Sequence, residues 1–113
     1  MDSVRMTLAW HVLPGEVASI TSALQTLMMR TRAEPGCSGC SLSAEMGAQV
    51  ELRYVARWLT EDDLKRQIRS SGFAQLAELL EHATDPPTVE FVVPDGTHGL
   101  EYAERIRQVN GAR

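Results

Sequence analysis

The sequence predicts an α+β domain, in which an antiparallel β-sheet is covered by helices on one face. Three stretches alternate apolar and polar residues with the two-residue period of a strand, and the stretches between them carry apolar residues at helical spacing. The strands therefore have one apolar face, and the helices have an apolar stripe to pack on it. We expect one domain over residues 1–113, with a core at about 4–93 and a C-terminal helix at about 98–109.

The composition is that of an ordinary globular domain, with 43% hydrophobic and 23% charged residues. The net charge is -4 and the charges are interspersed, which argues against a nucleic-acid partner because phosphate contacts need clustered Lys and Arg. No run approaches the ~20 apolar residues that cross a bilayer, and the amino terminus lacks a basic segment followed by an apolar one. We therefore expect a cytoplasmic protein without a membrane partner.

The first strand is predicted over residues 4–12, where every even position is apolar and includes Trp10. Pro14 and Gly15 end this strand, and a helix follows at about residues 16–31 with its apolar residues at helical spacing. Glu34-Pro35-Gly36 ends the helix.

Two further strands are predicted at about residues 40–46 and 50–58, joined by Gly47-Ala48-Gln49. The second of them is the clearest pattern in the sequence, because its even positions from Val50 to Trp58 are all apolar or aromatic and its odd positions are mostly charged.

A helix is predicted to begin at Thr60, because Thr60 with Asp63 three residues later resembles a capping box with Asp in place of Glu. Ser70-Ser71-Gly72 interrupts this helix before a second amphipathic segment that ends near His82. Two prolines then break the helix, residues 89–93 form a β-branched fourth strand, and a short helix follows.

The order of elements is strand, helix, strand, strand, helix, strand, helix. This order predicts a ferredoxin-like βαββαβ arrangement, with a four-stranded antiparallel sheet and a C-terminal helix. The sheet face away from the helices is mixed rather than fully charged, so it either faces water or packs on a second copy of the chain.

Cys37 and Cys40 have the spacing of a zinc site or a redox pair, but the rest of either site is missing. No second Cys or His pair lies at ligand spacing, and the residues after Cys40 alternate as a strand rather than starting a helix. We interpret both as small strand residues and predict no metal site.

Residues 32–73 contain several short motifs. They are Arg32-x-Glu34-Pro35-Gly36-Cys37, a strand that ends in Trp58, Thr60-Glu61 with Leu64, and Ser70-x-x-Phe73. In this order and at this spacing they resemble the antibiotic biosynthesis monooxygenase domain family, and the resemblance covers about residues 4–93. It implies a dimeric α/β barrel, in which the sheets of two protomers face one another. The family includes cofactor-independent oxygenases of polyketide or quinol substrates, haem-degrading relatives and isomerases.

Two positions depart from the family pattern. Many members carry His where this chain has Gln67 and Gly72, so proton transfer at these positions is lost. Cofactor-free oxygenases of the family pair an Asn with the Trp, and the residue available here is Tyr54. A Tyr hydroxyl donates a hydrogen bond but is a poor base at neutral pH.

The resemblance implies a site in which Trp58 and Tyr54 are the catalytic candidates and Trp10, Phe73 and Gln67 the substrate-binding candidates. Trp58 would orient substrate or hold an oxyanion, Tyr54 would donate a hydrogen bond, and Trp10 and Phe73 would form walls. The aromatic residues are equally compatible with an ordinary core, and Gln67 either borders the pocket or faces water.

Three functions follow as hypotheses. The first is a homodimeric, cofactor-independent monooxygenase that acts on an aromatic, quinol-like or polyketide-like small molecule, whose anion itself reduces dioxygen. The second is a catalytically silent dimeric ligand-binding or interaction domain, which the missing histidines suggest. The third is haem binding, with His98, expected in a loop, as the candidate ligand.

Overall fold

A five-stranded antiparallel sheet is the framework of the protein, and the computed structural model describes residues 4–111, with side chains as far as residue 108. The strands are Val4–Val12 (β1), Cys37–Glu45 (β2), Val50–Trp58 (β3), Thr88–Val93 (β4) and Gly96–His98 (β5). Their order across the sheet is β2-β3-β1-β4-β5, and each neighbouring pair is antiparallel. The first four strands in this order form the sheet of the predicted ferredoxin-like fold, which is confirmed.

Four helices pack on one face of this sheet. They are Val17–Arg32 (α1), Glu61–Ile68 (α2), Ser71–Leu80 (α3) and Leu100–Gly111 (α4), and a short 3-10 turn at Pro14–Glu16 precedes α1. Within residues 4–111, no helix combines the length and the apolar character needed to cross a membrane.

The core lies between the helices and the even-numbered positions of β1 and β3. Met6, Leu8, Leu52 and Ala56 on the strands are at most 1% exposed, and the helices add a set of buried apolar residues: Ile20, Leu24, Leu27, Leu64, Ile68 and Leu76. Full burial of such side chains contributes roughly 1.5–3 kcal/mol each, so the alternation in the sequence decides which face is covered.

The prediction of four strands is wrong by one strand. Pro94 and Asp95 form a turn, Gly96 has a φ of 141°, and residues 96–98 run back along β4 with Phe91 opposite His98. A three-residue strand is too short to show an alternating pattern, which is why it was not predicted. His98 therefore lies in β5 and not in a loop, and α4 begins at Leu100 rather than at about 98.

The interrupted helix after β3 is confirmed as two helices with separate caps. The Thr60 hydroxyl accepts from the Asp63 backbone N–H at 3.1 Å and starts α2, and the Ser70 hydroxyl accepts from the Phe73 N–H at 3.2 Å and starts α3. The Ser70 hydroxyl also donates to the Gln67 carbonyl at 2.6 Å, so one side chain ends α2 and begins α3.

The opposite face of the sheet has a mixed surface. Arg53 and Arg57 on β3 are exposed there, Val55 between them is half-buried, and Thr7 and Ala9 of the central strand are nearly covered. No helix of residues 4–111 packs on this face. In the protomer this face has small residues at its centre and charged residues at its flanks.

Candidate functional site

The three candidate residues on strands share the core face, but they are spread along it. Trp10 lies opposite Leu52, Tyr54 lies opposite Leu8, and Trp58 ends β3 opposite the first residue of β1. At ~3.3 Å per residue, Trp58 is about 13 Å beyond Tyr54 along the strand. Tyr54 is therefore the middle of the series, with Trp10 on one side and Trp58 on the other.

Both tryptophans are buried with an indole N–H that has no acceptor. Trp10 is 1% exposed and Trp58 is 3% exposed, and within the described part of the chain neither Nε1 has a hydrogen-bond partner. A buried donor without an acceptor costs free energy, about 1–3 kcal/mol in protein mutational series, so native structures contain few of them. Each N–H is thus a donor without a partner among the described residues, and an acceptor atom of a ligand or of water can reach it only after the side chains around it move.

Tyr54 is fully buried and its hydroxyl donates to Thr31 Oγ1 of α1 at 3.2 Å. Burial, followed by the neighbouring Cys40 thiol, raises the pKa of the Tyr54 phenol well above its usual range. The phenol therefore stays protonated and acts as a donor, not as a base. Burial also raises the pKa of the Cys40 thiol, so this cysteine is not an activated nucleophile.

Thr31 connects Tyr54 to a small cavity between α1 and the α2–α3 junction. The cavity has a volume of about 70 Å³, and Gln67 and Gly72 lie on its wall beside Thr31. Gln67 is only 5% exposed, and its Nε2 is 3.8 Å from the position that a Cβ on Gly72 would take. The alternative in which Gln67 faces water is wrong, because the end of α2 turns this side chain inward.

Gln67 and Gly72 thus meet at one cavity. The rest of the wall is mixed: Arg30, Glu34, Ser70 and Ser71 are polar or charged, and Leu27 is aliphatic. No imidazole is among the residues that line this cavity, and most of them have hydrogen-bonding side chains.

The size of the cavity limits what enters it. A volume of about 70 Å³ holds water or dioxygen, whereas sites for small organic molecules have roughly 300–1,000 Å³. A ring system would require α1 to move away from α3. At the edge of the cavity these helices are joined by Arg30 Nη1 and Gln75 Oε1, an exposed contact of 3.5 Å that is near the limit of a hydrogen bond.

Phe73 points away from this cavity, towards β4. Its ring is 6.5 Å from the ring of Phe91, which in turn is 5.2 Å from the ring of Tyr102 on α4. The Arg107 guanidinium lies 5.9 Å from the Phe73 ring centre. These contacts make Phe73 part of the core on the β4 side, and the structure does not bring its ring together with Gln67 and Thr31.

The His98 side chain contacts both Asp95 and Tyr102. Its Nε2 is 3.0 Å from Asp95 Oδ1, and its ring is stacked on Tyr102 at 5.2 Å. Haem ligation through this nitrogen would require loss of the Asp95 contact, so the geometry does not favour the haem hypothesis.

The motif segments pack against one another beside the cavity. The Leu59 N–H donates to the Gly36 carbonyl at 2.8 Å, and Arg32 Nε donates to the Cys40 carbonyl at 3.0 Å. Asp63 of α2 lies against Gly36. The turn before β2 and the start of α2 therefore form one contact, which positions the start of α2 against the turn.

Thr31 is the site residue that sequence reasoning missed. It is 4% exposed, and it lies four residues after Leu27 on the inner stripe of α1. A threonine at that spacing is a polar residue on an apolar stripe, and this signal was available in the sequence.

Several solved structures have a fold similar to that of this chain. No family model matches the chain, and no curated protein matches it. A conserved protein from Methanosarcina mazei Go1 has a TM-score of 0.70 at 22% identity, over 80% of this chain and 91% of its own. Rv0793 from Mycobacterium tuberculosis has a TM-score of 0.67 at 22% identity, over 82% and 95%.

A third solved structure is named as an antibiotic biosynthesis monooxygenase. Its TM-score is 0.66 at 17% identity, over 78% of this chain and 94% of that one. At these identities the likeness establishes the fold: the chain has the ferredoxin-like α+β fold of antibiotic biosynthesis monooxygenase-like proteins.

Proposed function

We propose that the protein is a cofactor-independent monooxygenase that oxidises an aromatic, quinol-like or polyketide-like small molecule. The observation that carries the proposal is the buried Trp58 indole N–H, which has no acceptor among the described residues. An oxygen atom of a substrate anion is the kind of acceptor that such a donor fits. The solved structure named as an antibiotic biosynthesis monooxygenase is consistent with this chemistry.

The proposed reaction needs little from the protein beyond positioning. An electron-rich anion transfers electrons to dioxygen directly, so the site has to stabilise the anion and exclude water. Trp58 would donate to the developing oxyanion, and Trp10 would form a wall. Tyr54 would act through Thr31, because its hydroxyl is bonded to that residue at the cavity. Gln67 would hydrogen-bond the part of the substrate that enters between α1 and α3.

A catalytically silent ligand-binding or interaction domain is the second candidate. The cavity of about 70 Å³ favours it, because a ring system does not fit without helix movement. The absence of an imidazole from that cavity wall favours it as well.

We also propose that the protein works as a cytoplasmic homodimer. Cys37 and Cys40 are both free thiols, which suits a reducing compartment. The sheet face without helices has small residues at its centre, Thr7 and Ala9, and a half-buried Val55 beside them, which suits self-association. Sedimentation velocity at micromolar concentration should give a dimer, and a monomer there would contradict this assembly.

Oxygen uptake tests the enzyme against the binding domain. The native protein, Trp58→Phe and Trp10→Phe are compared with a panel of quinols and polycyclic phenols, and circular dichroism confirms that all three are folded. Removing an oxyanion donor lowers kcat about 100-fold or more, so Trp58→Phe should lose most activity. Trp10→Phe, the matched control, also removes a buried indole N–H but keeps an aromatic wall, and should lose much less.

Two results would refute the enzyme. One is no substrate-dependent oxygen uptake across the panel, and the other is uptake that Trp58→Phe leaves unchanged. Saturable binding of a panel compound without oxygen uptake would instead establish the binding domain.

A further inference from the structure

A second concave site lies on the other side of α2 from the small cavity. This site, the basic groove, is formed by Lys65 of α2, Arg69 directly after α2, Asp95 of the turn before β5, His98 of β5, and Tyr102, Arg105 and Ile106 of α4. Its volume is about 340 Å³, and it shares no lining residue with the cavity beside Thr31. The volume is within the range of sites for small organic molecules.

Positive charge dominates the basic groove. Among the side chains that the structure describes, Lys65, Arg69 and Arg105 take part in no ion pair. Asp95 is the one carboxylate among the lining residues, and it is already paired with His98. The chain as a whole has a net charge of -4, so this concentration of cations runs against the overall charge.

Two carboxylates beside the lining residues accept hydrogen bonds from within the fold. Glu61 accepts a hydrogen bond from the Tyr102 hydroxyl at 2.6 Å, and Glu101 accepts one from the Gly99 N–H at 3.2 Å. The Gly99 bond contributes to holding the pKa of Glu101 below its ordinary value, after its own backbone N–H. These carboxylates keep their negative charge, and Arg105, after the hydrogen bonds that Glu101 and Asp95 accept, contributes to lowering the pKa of both. The excess positive charge of the basic groove therefore comes mainly from Lys65 and Arg69, which take part in no ion pair among the described side chains.

The floor of the basic groove is flat and partly apolar. The His98 ring is stacked on the Tyr102 ring at 5.2 Å with an interplanar angle of 22°, and the Arg105 guanidinium lies 5.9 Å from the Tyr102 ring centre. Ile106 adds an aliphatic surface. Tyr102 is only 6% exposed and its ring is already covered by His98, so a planar ring would stack on the outer face of the His98 imidazole beside the Arg105 guanidinium.

We propose that the basic groove binds a small organic phosphate with a planar body. A phosphate monoester has about -1.5 to -2 charge at pH 7 and three acceptor oxygens. It therefore suits three cationic side chains better than a ligand with a single carboxylate group would. The planar body would lie on the His98 ring, which is itself stacked on Tyr102. A monomeric ligand fits the single bounded groove, whereas a nucleic-acid strand requires a continuous basic track. This site is separate from the proposed oxygenase site, and its test needs no turnover.

Calorimetric titration of the full chain at low salt tests the proposal, with phenyl phosphate, inorganic phosphate, benzoate and phenol as probes. Phenyl phosphate should bind with a Kd below about 1 mM, which corresponds to about 4 kcal/mol. Inorganic phosphate and benzoate should bind more weakly, since each lacks one of the two features, and phenol should not bind measurably.

Two variants that each remove one positive charge from the basic groove test whether phenyl phosphate binds there. Arg69→Gln and Arg105→Gln should each weaken phenyl phosphate binding about tenfold. Arg66→Gln is the matched control: Arg66 is on the same helix, but it pairs with Asp63 at 2.9 Å outside the basic groove, and it should change the Kd less than twofold.

Several outcomes would overturn the proposal. No binding of phenyl phosphate at about 10 mM would do so, as would equal weakening by Arg66→Gln, which would mean a general charge effect. Equal affinity for phenol and phenyl phosphate would show that the phosphate group does not contribute to binding. Equal affinity for inorganic phosphate and phenyl phosphate would show that the planar body does not contribute to binding.

Discussion

Gly36→Ala tests how the motif turn is coupled to α2. Gly36 has a φ of 86°, in the left-handed region that side chains rarely adopt. A Cβ at this position would overlap the Asp63 carboxylate, whose oxygens accept from the Thr60 hydroxyl and from Arg66 Nη2, both at 2.9 Å. The substitution therefore strains the backbone and displaces a carboxylate from its hydrogen bonds.

The two effects have different sizes and can be separated. The left-handed conformation costs an L-residue roughly 1–2 kcal/mol. The clash adds to this cost, so the free energy of unfolding should fall by more than the backbone effect by itself. With about 1–3 kcal/mol per molar of urea, the backbone effect lowers the unfolding midpoint by roughly 0.3–2 M.

Urea denaturation of four proteins separates the backbone effect from the clash. They are the native chain, Gly36→Ala, Asp63→Ala and the double variant. Gly36→Ala should cost less in the Asp63→Ala background, because the clash is gone and the backbone strain remains. Gly15→Ala is the control: no heavy atom lies within 4 Å of its Cβ position, and its φ is not positive.

The reasoning fails if Gly36→Ala and Gly15→Ala have the same midpoint as the native chain. It also fails if Asp63→Ala does not reduce the cost of Gly36→Ala. An unchanged midpoint would mean that a side chain at residue 36 does not strain the turn. An unchanged cost in the Asp63→Ala background would mean that the Asp63 carboxylate does not clash with that side chain.

Two further predictions concern the hydroxyl of Tyr54 and the titration of Asp63. Tyr54→Phe removes a buried hydrogen bond to Thr31 and should lower the free energy of unfolding by about 1 kcal/mol in urea; an unchanged midpoint would contradict that contact. Hydrogen bonds from Thr60, and then from Arg66, hold the pKa of Asp63 below its ordinary 3.8. The stabilisation is therefore complete above pH 3.8 and is lost as the pH falls through the folded-state pKa. The stability difference between the native chain and Asp63→Asn should shrink in acid, and a constant difference would contradict it.

The order and faces of the long elements were predictable from the sequence. Strands β1 and β3 of nine residues each bury their even positions, because alternation on a pleated strand leaves no other choice of face. The break at Ser70 was also predictable, since a serine hydroxyl competes with helix continuation and caps the next helix. These features depend on neighbouring residues only.

Strand β5 and the surroundings of His98 were not predictable in this way. Three residues are too few for a period, and their pairing depends on the turn at Asp95 bringing them back along β4. The basic groove depends on the same event, because α4 starts directly after β5 and brings Arg105 opposite Lys65.

In the motif segment, residues 32–73, some features follow from the local sequence and others depend on tertiary packing. Its residues determined the turn, the strand that ends in Trp58 and the two capped helices, all of which follow from local backbone preference and periodicity. The packing of α1 against the α2–α3 junction decided that Gln67 faces a cavity of about 70 Å³, and the packing of α1 on β3 decided that Tyr54 bonds to Thr31. Local periodicity fixes the face on which a side chain lies, but the space around that side chain depends on contacts between elements distant in the chain.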